Sequence, residues 1–226
     1  MKLSKDTFSI LKNFSSLNSN ILVREGNCLK TLTPAKNVMA EATVQEDFPV
    51  EFGIWDLGKF LGTISLFTDP EFEFEDGYVK IKGSNNSVIK YFYSEPSLLT
   101  VPTKEISMPE TVVSFGWKQD IFNDLQRAAA VLQLPDLCIR KEGDDVIAEV
   151  IDKSDPSSNS YSVELGDAVH DSSASFKYFF KVENLKMLPG DYTVNITEKV
   201  VSEFCNASGL DLKYWVALES DSVYSV

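Results

Sequence analysis

The chain repeats one order of secondary-structure elements, and this repeat constrains its fold more than any other feature. Each half contains a long amphipathic helix, then short alternating strands, a shorter helix and further strands. The halves share little residue identity, so the repeat lies in the order of the elements. We predict an α+β fold with two tandem domains, 1–108 and 109–226, in which a linker at about 95–108 belongs to the first domain. Two unrelated α+β domains would give a similar pattern.

Periodicity places two helices in the first half. In Ser4–Asn18 the apolar residues recur at helical spacing, and Ser4 can cap the first turn. A shorter helix is predicted at Asp56–Phe67, where two internal glycines weaken it. Strands are predicted at Ile21–Arg24, Cys28–Thr33, Met39–Val44, Val50–Ile54, Glu71–Glu75, Tyr78–Lys82 and Val88–Tyr93.

The second half follows Glu95–Pro109, an extended linker with three prolines and no periodicity. A helix is predicted at Lys118–Leu132 because Ile121, Leu125, Ala128 and Leu132 form one apolar stripe. A short helix is predicted at Val182–Leu188, before Pro189-Gly190. Strands are predicted at Thr111–Ser114, Leu137–Lys141, Val146–Ile151, Tyr161–Leu165, Phe176–Phe180, Tyr192–Ile196, Val200–Phe204 and Leu212–Leu218.

The charge and the termini exclude several classes of protein. A formal net charge of −13 argues against a generally basic nucleic-acid binder and against adhesion to anionic membranes. No run reaches the roughly 18 apolar residues of a membrane-spanning helix, and the N-terminus lacks the apolar stretch of a signal peptide. The three cysteines are far apart and form no CxxC pair, which favours a reducing cytoplasm.

Enzyme chemistry has little support in the sequence. His170 is the single histidine; we expect it to be solvated in a loop at Gly166–Ser175, since one histidine cannot make a two-His zinc site. No glycine-rich phosphate-binding motif occurs. The acids from Asp69 to Asp76 alternate with Phe72 and Phe74, which indicates a strand with acids facing water rather than a calcium loop. We therefore expect no catalytic activity, cofactor or metal.

The acidic residues concentrate in the predicted strands and loops and are depleted in the helices. Lys5 and Lys12 are two turns apart, so they share the face opposite the apolar stripe. In the second long helix, Lys118 and Arg127 balance two aspartates, Asp120 and Asp124. For any one lysine a solvated helix face is the simplest interpretation. As a set, the helices hint at a surface that faces a polyanion.

Four segments resemble the sliding clamps of T-even-type bacteriophages, which are DNA polymerase processivity factors. They are MKLSKDTFSILKNFSSLNSNILVREG at residues 1–26, DLGKFLGTISL at Asp56–Leu66, LKMLPGDYTV at Leu185–Val194 and YWVALESDS at Tyr214–Ser222. The resemblance covers essentially the whole chain and is weaker at Asn85–Ser114 and Asp144–Ser175. LKYW at Leu212–Trp215 is also similar to the last strand of the eukaryotic clamp, proliferating cell nuclear antigen.

The resemblance implies a ring-shaped homotrimer in which each subunit contributes two copies of the DNA-clamp fold. Helices would line a central hole that takes duplex DNA regardless of sequence, and the sheets would lie outside. The residues expected to face DNA are Lys5, Lys12, Lys59, Lys118, Arg127 and Lys186. The implied function is to tether the replicative polymerase, after loading by an ATP-dependent clamp loader, in the cytoplasm of the infected bacterial host.

The resemblance also implies a pocket beside the linker for the C-terminal peptide of the polymerase. The residues expected to line it are Leu32, Val38, Leu98, Leu99, Val101, Val201, Trp215 and Ala217. A late-transcription factor is a further candidate partner, and no membrane partner is expected. The same apolar residues could instead seal the two halves together. An acidic phage structural protein or DNA mimic remains the alternative function; it would explain the charge but not the duplicated order.

Overall fold

A computed structural model of the chain describes residues 1–103, 106–166, 168–198 and 201–226. The chain divides into two compact units, 1–105 and 106–226. Each unit combines helix with antiparallel strands, which confirms the predicted α+β class. No helix in these ranges has the length and apolar character needed to cross a membrane.

The first unit contains two helices, α1 (Lys5–Leu17) and α2 (Leu57–Ile64). Its strands are β1 (Ile21–Val23), β2 (Gly26–Leu32), β3 (Val38–Phe48), β4 (Phe52–Ile54), β5 (Glu71–Glu75), β6 (Tyr78–Lys82) and β7 (Val88–Phe92). Antiparallel pairing joins β1 to β4, β2 to β3, and β5 to β7 through β6. A single 3-10 turn, Pro96–Leu98, occupies the start of the predicted linker; Lys104 and Glu105 of that linker lie outside the described residues.

Both helices of this unit begin with a side-chain cap, of which only the one at Ser4 was predicted from the sequence. The Ser4 hydroxyl accepts a hydrogen bond from the Thr7 amide at 3.2 Å, and Asp56 accepts one from the Lys59 amide at 2.8 Å. Each bond satisfies an amide that has no partner within its helix. The apolar faces are buried, at Ile10, Leu11, Phe14 and Leu17 in α1 and at Leu57, Phe60, Leu61 and Ile64 in α2.

The second unit contains one long helix, α3 (Gln119–Leu132). Its strands are β8 (Thr111–Trp117), β9 (Asp136–Glu142), β10 (Asp145–Ile151), β11 (Tyr161–Leu165), β12 (Val169–His170), β13 (Ser175–Lys181), β14 (Tyr192–Thr197), β15 (Val201–Asn206), β16 (Leu212–Ala217) and β17 (Val223–Ser225). One sheet has the order β11-β10-β9-β13-β17, and β12, β8, β14, β15 and β16 pair successively in another. Val200, predicted to begin β15, lies outside the described residues.

The apolar stripe predicted for α3 is right at Leu125 and is otherwise displaced by about one residue. The helix buries Phe122, Leu125 and Ala129, whereas Leu132 remains 36% exposed. The ring of Phe122 packs on the ring of Trp117, with their centroids 5.7 Å apart. This aromatic contact with β8 sets the rotation of the helix, and the spacing of aliphatic residues alone does not reveal it.

The predicted helix at Val182–Leu188 is also wrong, because only a 3-10 turn, Val182–Asn184, forms. Side chains from elsewhere in the unit bind the main chain that a longer helix would use internally. The Leu185 carbonyl accepts a hydrogen bond from Gln126 Nε2 at 3.0 Å, and the Leu188 amide donates to the Tyr214 hydroxyl at 3.0 Å. These bonds satisfy the backbone without a second helical turn.

His170 lies in a short strand and not in the predicted loop. Its strand, β12, pairs with β8, so that His170 lies opposite Val113. The imidazole is half-buried in an edge-to-face contact with Phe176 at 5.6 Å, and its Nδ1 lies 2.9 Å from the Asp171 carbonyl oxygen. A strand of two residues is too short for alternation to show in the sequence.

Candidate functional site

Two of the predicted DNA-facing lysines lie on the exposed face of α1. Lys5 and Lys12 are both exposed, while Ile10, Leu11 and Phe14 fill the opposite face. Neither lysine has a carboxylate within 4 Å among the described residues. The helical phase predicted from the sequence therefore places both positive charges in water and leaves them unpaired.

Lys59 extends this basic surface to the second helix of the same unit. It lies in the first turn of α2, is exposed, and likewise lacks an ion pair within the described ranges. Helices α1 and α2 pack against each other. The structure therefore brings Lys5, Lys12 and Lys59 onto two adjacent helices, and we call these three residues the basic helix surface.

In the second unit, acids accompany the basic residues of α3. Lys118 Nζ lies 2.9 Å from Asp191 Oδ2, and Arg127 Nη1 lies 3.4 Å from Asp124 Oδ1. The hydrogen bond between Lys118 and Asp191 raises the pKa of the lysine and lowers that of the aspartate. Asp191 Oδ1 also accepts from the Gln119 amide at 3.0 Å, so it caps α3. No local sequence pattern indicates this cap, because Asp191 is far from the helix along the chain.

Lys186 is exposed, but it follows the 3-10 turn and is not on a helix as predicted. The bond from Gln126 to the Leu185 carbonyl holds the preceding residue beside α3. The structure therefore keeps Lys186 close to the helix that carries Arg127.

The exposed lysines can attract phosphate groups electrostatically, and this attraction weakens as the salt concentration rises. Contacts with phosphates do not distinguish one base from another. No cluster of three or more His, Cys, Asp or Glu side chains able to hold a metal occurs in the part of the chain that the structure describes. The arrangement is therefore suited to contact with a polyanion without sequence recognition.

A buried carboxylate that sequence reasoning missed supports the first turn of α1. Glu46 on β3 is 8% exposed and accepts hydrogen bonds from the Ser4 amide and from the Thr7 hydroxyl. Burial raises the pKa of Glu46, but these hydrogen bonds outweigh burial, so the pKa lies below its ordinary value. Glu46 is therefore held as a carboxylate at the positive end of the helix dipole.

The predicted docking residues of the first unit have unequal exposure. Leu32 ends β2 and Val38 begins β3, on either side of the predicted loop. Leu98 is 64% exposed, but Leu99 is buried against Gly53, where an added Cβ would lie 2.8 Å from Leu99 Cδ1. Leu98 is therefore exposed for contact with a partner protein, whereas Leu99 is part of the buried core of this unit.

Two buried asparagines, also missed by sequence reasoning, fasten the start of the linker. Asn18 Nδ2 donates to the carbonyls of Leu32 and Thr100, at 2.9 and 3.1 Å, and the Thr100 amide donates to Asn20 Oδ1 at 2.9 Å. Beyond Thr100, Val101 and Pro102 border a cavity of about 420 Å³ that Leu22 and Cys28 also line. Hydrogen bonds therefore position Val101, which the sequence showed only as an isolated apolar residue.

The docking residues of the second unit lie on one face of β15 and β16. Leu212, Tyr214 and Val216 face the core, so Trp215 and Ala217 point the other way, and Val201 lies directly opposite Ala217. Trp215 is only 7% exposed, and its Nε1 has no hydrogen-bond acceptor among the described residues. These three side chains lie on the same face of the two strands, with Glu203 directly opposite Trp215.

Comparisons with known proteins agree with this geometry. Residues 114–220 match the family model described as "gp45 sliding clamp, C terminal". The sliding clamp of Enterobacteria phage T4 is 30% identical over 229 residues, which covers 99% of each chain. The sliding clamp of Vibrio phage KVP40 is 29% identical over 225 residues, which covers 97% of this chain and 100% of the relative.

Solved structures show the same fold at low identity. The structure described as the C-terminal region of FEN-1 bound to A. fulgidus PCNA matches with a TM-score of 0.69 and 16% identity over 94% of each chain. PCNA from Thermococcus kodakaraensis matches with a TM-score of 0.69 and 12% identity over 95% of this chain and 96% of that one. These matches confirm the predicted clamp fold. The identity of about 30% to the phage proteins, which extends over nearly the whole chain, confirms the resemblance found in the sequence. The chain belongs to the phage sliding clamp family.

Proposed function

We propose that three copies of the chain form a ring that encircles duplex DNA and tethers the replicative polymerase. The basic helix surface carries this proposal, since its three lysines have no ion pair among the described residues of a chain whose net charge is −13. Phosphates would be attracted to the helices and repelled by the acidic remainder, so DNA would be held without base contacts and could slide. Lys118, Arg127 and Lys186 would add weaker contacts, and no catalytic step is required.

Ring closure requires one edge strand from each unit, because a head-to-tail contact between subunits uses two different surfaces. In the first unit we favour β7 over β5. Strand β5 exposes Glu71, Glu73 and Glu75, and the main chain of Met1 already makes hydrogen bonds with Phe72. Strand β7 has its outer edge free within this sheet, so its backbone groups could pair with another subunit.

In the second unit we favour β11, at the end of its sheet, as the partner of β7. Strand β7 exposes two apolar residues, Val88 and Phe92, on either side of Lys90. Strand β11 exposes Tyr161 and Glu164. Pairing β7 with β11 would bury the apolar residues and bring Lys90 near an opposite charge.

The partner peptide would use an apolar side chain to bind beside exposed Leu98 of the first unit, next to Leu32 and Val101. In the same unit Val38 and Leu99, which are both buried, would contribute from beneath. In the second unit, Val201, Trp215 and Ala217 would provide a separate apolar contact. An apolar residue that a partner buries fully adds roughly 1.5–3 kcal/mol, which allows recruitment and exchange. We propose that the polymerase, the clamp loader and a late-transcription factor use this surface in the cytoplasm of the infected bacterial host.

The test combines native mass with retention on DNA. Sedimentation at increasing concentration should give a species of three subunits. After incubation with nicked circular plasmid, the clamp loader and ATP, labelled protein should remain with the plasmid during gel filtration and should dissociate once a restriction enzyme linearises it. A stable monomer at all concentrations, or equal retention on circular and linear DNA, would refute the proposal.

A further inference from the structure

The N-terminus of α1 is fastened to the sheet by one side chain, Glu46 of β3. The Ser4 amide donates to Oε1 of this carboxylate, and the Thr7 hydroxyl donates to Oε2. Ser4 and Thr7 also bond to each other, through their hydroxyls at 2.9 Å and through the cap at 3.2 Å. The cap residue, the first turn and the strand therefore form one closed hydrogen-bond network.

Glu46 occupies a position at which the strand pattern calls for an apolar residue. It alternates with exposed Gln45 and Asp47, and the neighbouring inward residues are Val44 and Phe48. Burying a charge is costly unless it is paired or hydrogen-bonded. A local reason for a carboxylate in this position is the first turn of α1, whose amides have no acceptors within the helix.

The partners of Glu46 are unusual for a buried acid in this chain. Asp136, also buried, is neutralised by Lys181 Nζ at 2.6 Å. Glu46 has no cation within 4 Å among the described residues, and only neutral groups of α1 bind it. The nearest lysine along α1 is Lys5, which directly follows the cap and has no ion pair within the described part of the chain. The network therefore holds the turn that carries Lys5 in place, and the ammonium group of Lys5 takes no part in it.

We propose that Glu46 is a positioning residue for DNA binding: it locks the first turn of α1 so that Lys5 is presented to the phosphate backbone. This inference rests on the proposed function. Without the hydrogen bonds to Glu46 the first turn would fray, since helix ends are the least constrained part of a helix. Lys5 would then adopt several orientations. Lys12 lies two turns further on and depends less on this lock.

The sign of one substitution separates positioning from simple electrostatics. Glu46→Gln removes a negative charge close to a helix that faces DNA. Charge alone would therefore strengthen DNA binding. The glutamine keeps one oxygen for the Ser4 amide, but its amide group cannot accept from the Thr7 hydroxyl. Loss of positioning would weaken DNA binding, in the opposite direction.

Asp47→Asn is the matched control. It removes the same charge from the adjacent residue of the same strand, where the side chain is exposed and makes no hydrogen bond or ion pair with another described residue. Both variants are first checked by sedimentation and thermal unfolding, and retention on circular plasmid is then measured well below the melting temperature. We expect Glu46→Gln to shorten the retention half-life about fivefold, the factor that corresponds to the net contribution of one typical hydrogen bond. Asp47→Asn should leave it equal or longer.

A double-mutant cycle with Lys5→Gln completes the test. If Glu46 acts through Lys5, Glu46→Gln should cause little further loss in the Lys5→Gln background. Equal or longer retention for Glu46→Gln, or an undiminished loss in the Lys5→Gln background, would overturn the proposal. Failure of the wild-type protein to be retained on circular plasmid would instead refute the proposed function itself.

Discussion

Neutralising the two lysines of α1 should change how DNA retention depends on salt. We consider Lys5→Gln combined with Lys12→Gln. Both side chains are exposed and form no ion pair with any residue that the structure describes, so the double variant should fold and assemble with a stability change within about 0.5 kcal/mol for each site. Any large effect on DNA can then be assigned to the lost charges.

The size of the effect follows from counterion release. Each lysine that neutralises a phosphate contributes about 0.9 to the slope of log affinity against log salt. A ring of three subunits loses on the order of six such charges, so the slope should fall by up to about 5. Between 50 and 200 mM salt, a slope of 5 corresponds to roughly a thousandfold change in affinity. Fewer simultaneous contacts would reduce this change in proportion.

The assay is retention on nicked circular plasmid across a salt series, with Lys36→Gln combined with Lys213→Gln as the control. These two lysines lie outside the helices, one in the loop after β2 and the other exposed on β16. The control should keep the wild-type slope. Parallel salt plots for wild type and the α1 double variant, or an equal loss in the control, would refute the placement of Lys5 and Lys12 against DNA.

Three further outcomes test other parts of the molecule. Phe92→Asp should shift the trimer towards monomers in sedimentation, and Lys90→Glu should do so more weakly, with recovery when Glu164→Lys is added. Leu98→Ala with Trp215→Ala should weaken binding of the polymerase C-terminal peptide at least tenfold in an intact trimer; unchanged anisotropy titrations would place docking elsewhere. Because the pKa of Glu46 is lower in the folded chain than its ordinary value, its stabilisation should be complete above about pH 4.5 and lost as the pH falls through the folded pKa. Glu46→Gln should therefore flatten the acid side of the stability profile measured by denaturant unfolding.

The sequence predicted elements whose causes are local. The stripe of α1 and its serine cap lie within one segment, and β5 and β6 alternate regularly on either side of an Asp-Gly turn, so their bounds match the structure. The prediction of which face of α3 is buried failed because a contact with Trp117, on another element, determines the rotation of the helix. The helix predicted at Val182–Leu188 failed because Gln126 and Tyr214 bind its backbone.

The same division applies to the candidate site. Exposure of Lys5 and Lys12 follows from helical period, so the sequence could predict it. The roles of Glu46, Asn20 and Asp191 depend on partners about 40 to 80 residues away, which no local pattern encodes. These three residues hold a helix end or the linker in place. Because they are polar, the sequence alone suggests that they lie on the surface.

The uneven pairing of the basic residues suits a ring whose contact with DNA must be weak. Lys118 and Arg127 each have a carboxylate nearby, so moving a phosphate towards them must compete with Asp191 and Asp124. Lys5, Lys12 and Lys59 have no such competitor among the described residues. In the proposed ring, the first unit of each subunit would therefore provide most of the attraction, in three separate places around the duplex. Every phosphate on the DNA presents the same charge, so these contacts can be exchanged from one phosphate to the next without favouring any register. Neutralising Asp191 and Asp124 would strengthen the attraction of Lys118 and Arg127 for the DNA phosphates, and the ring would slide more slowly as a result.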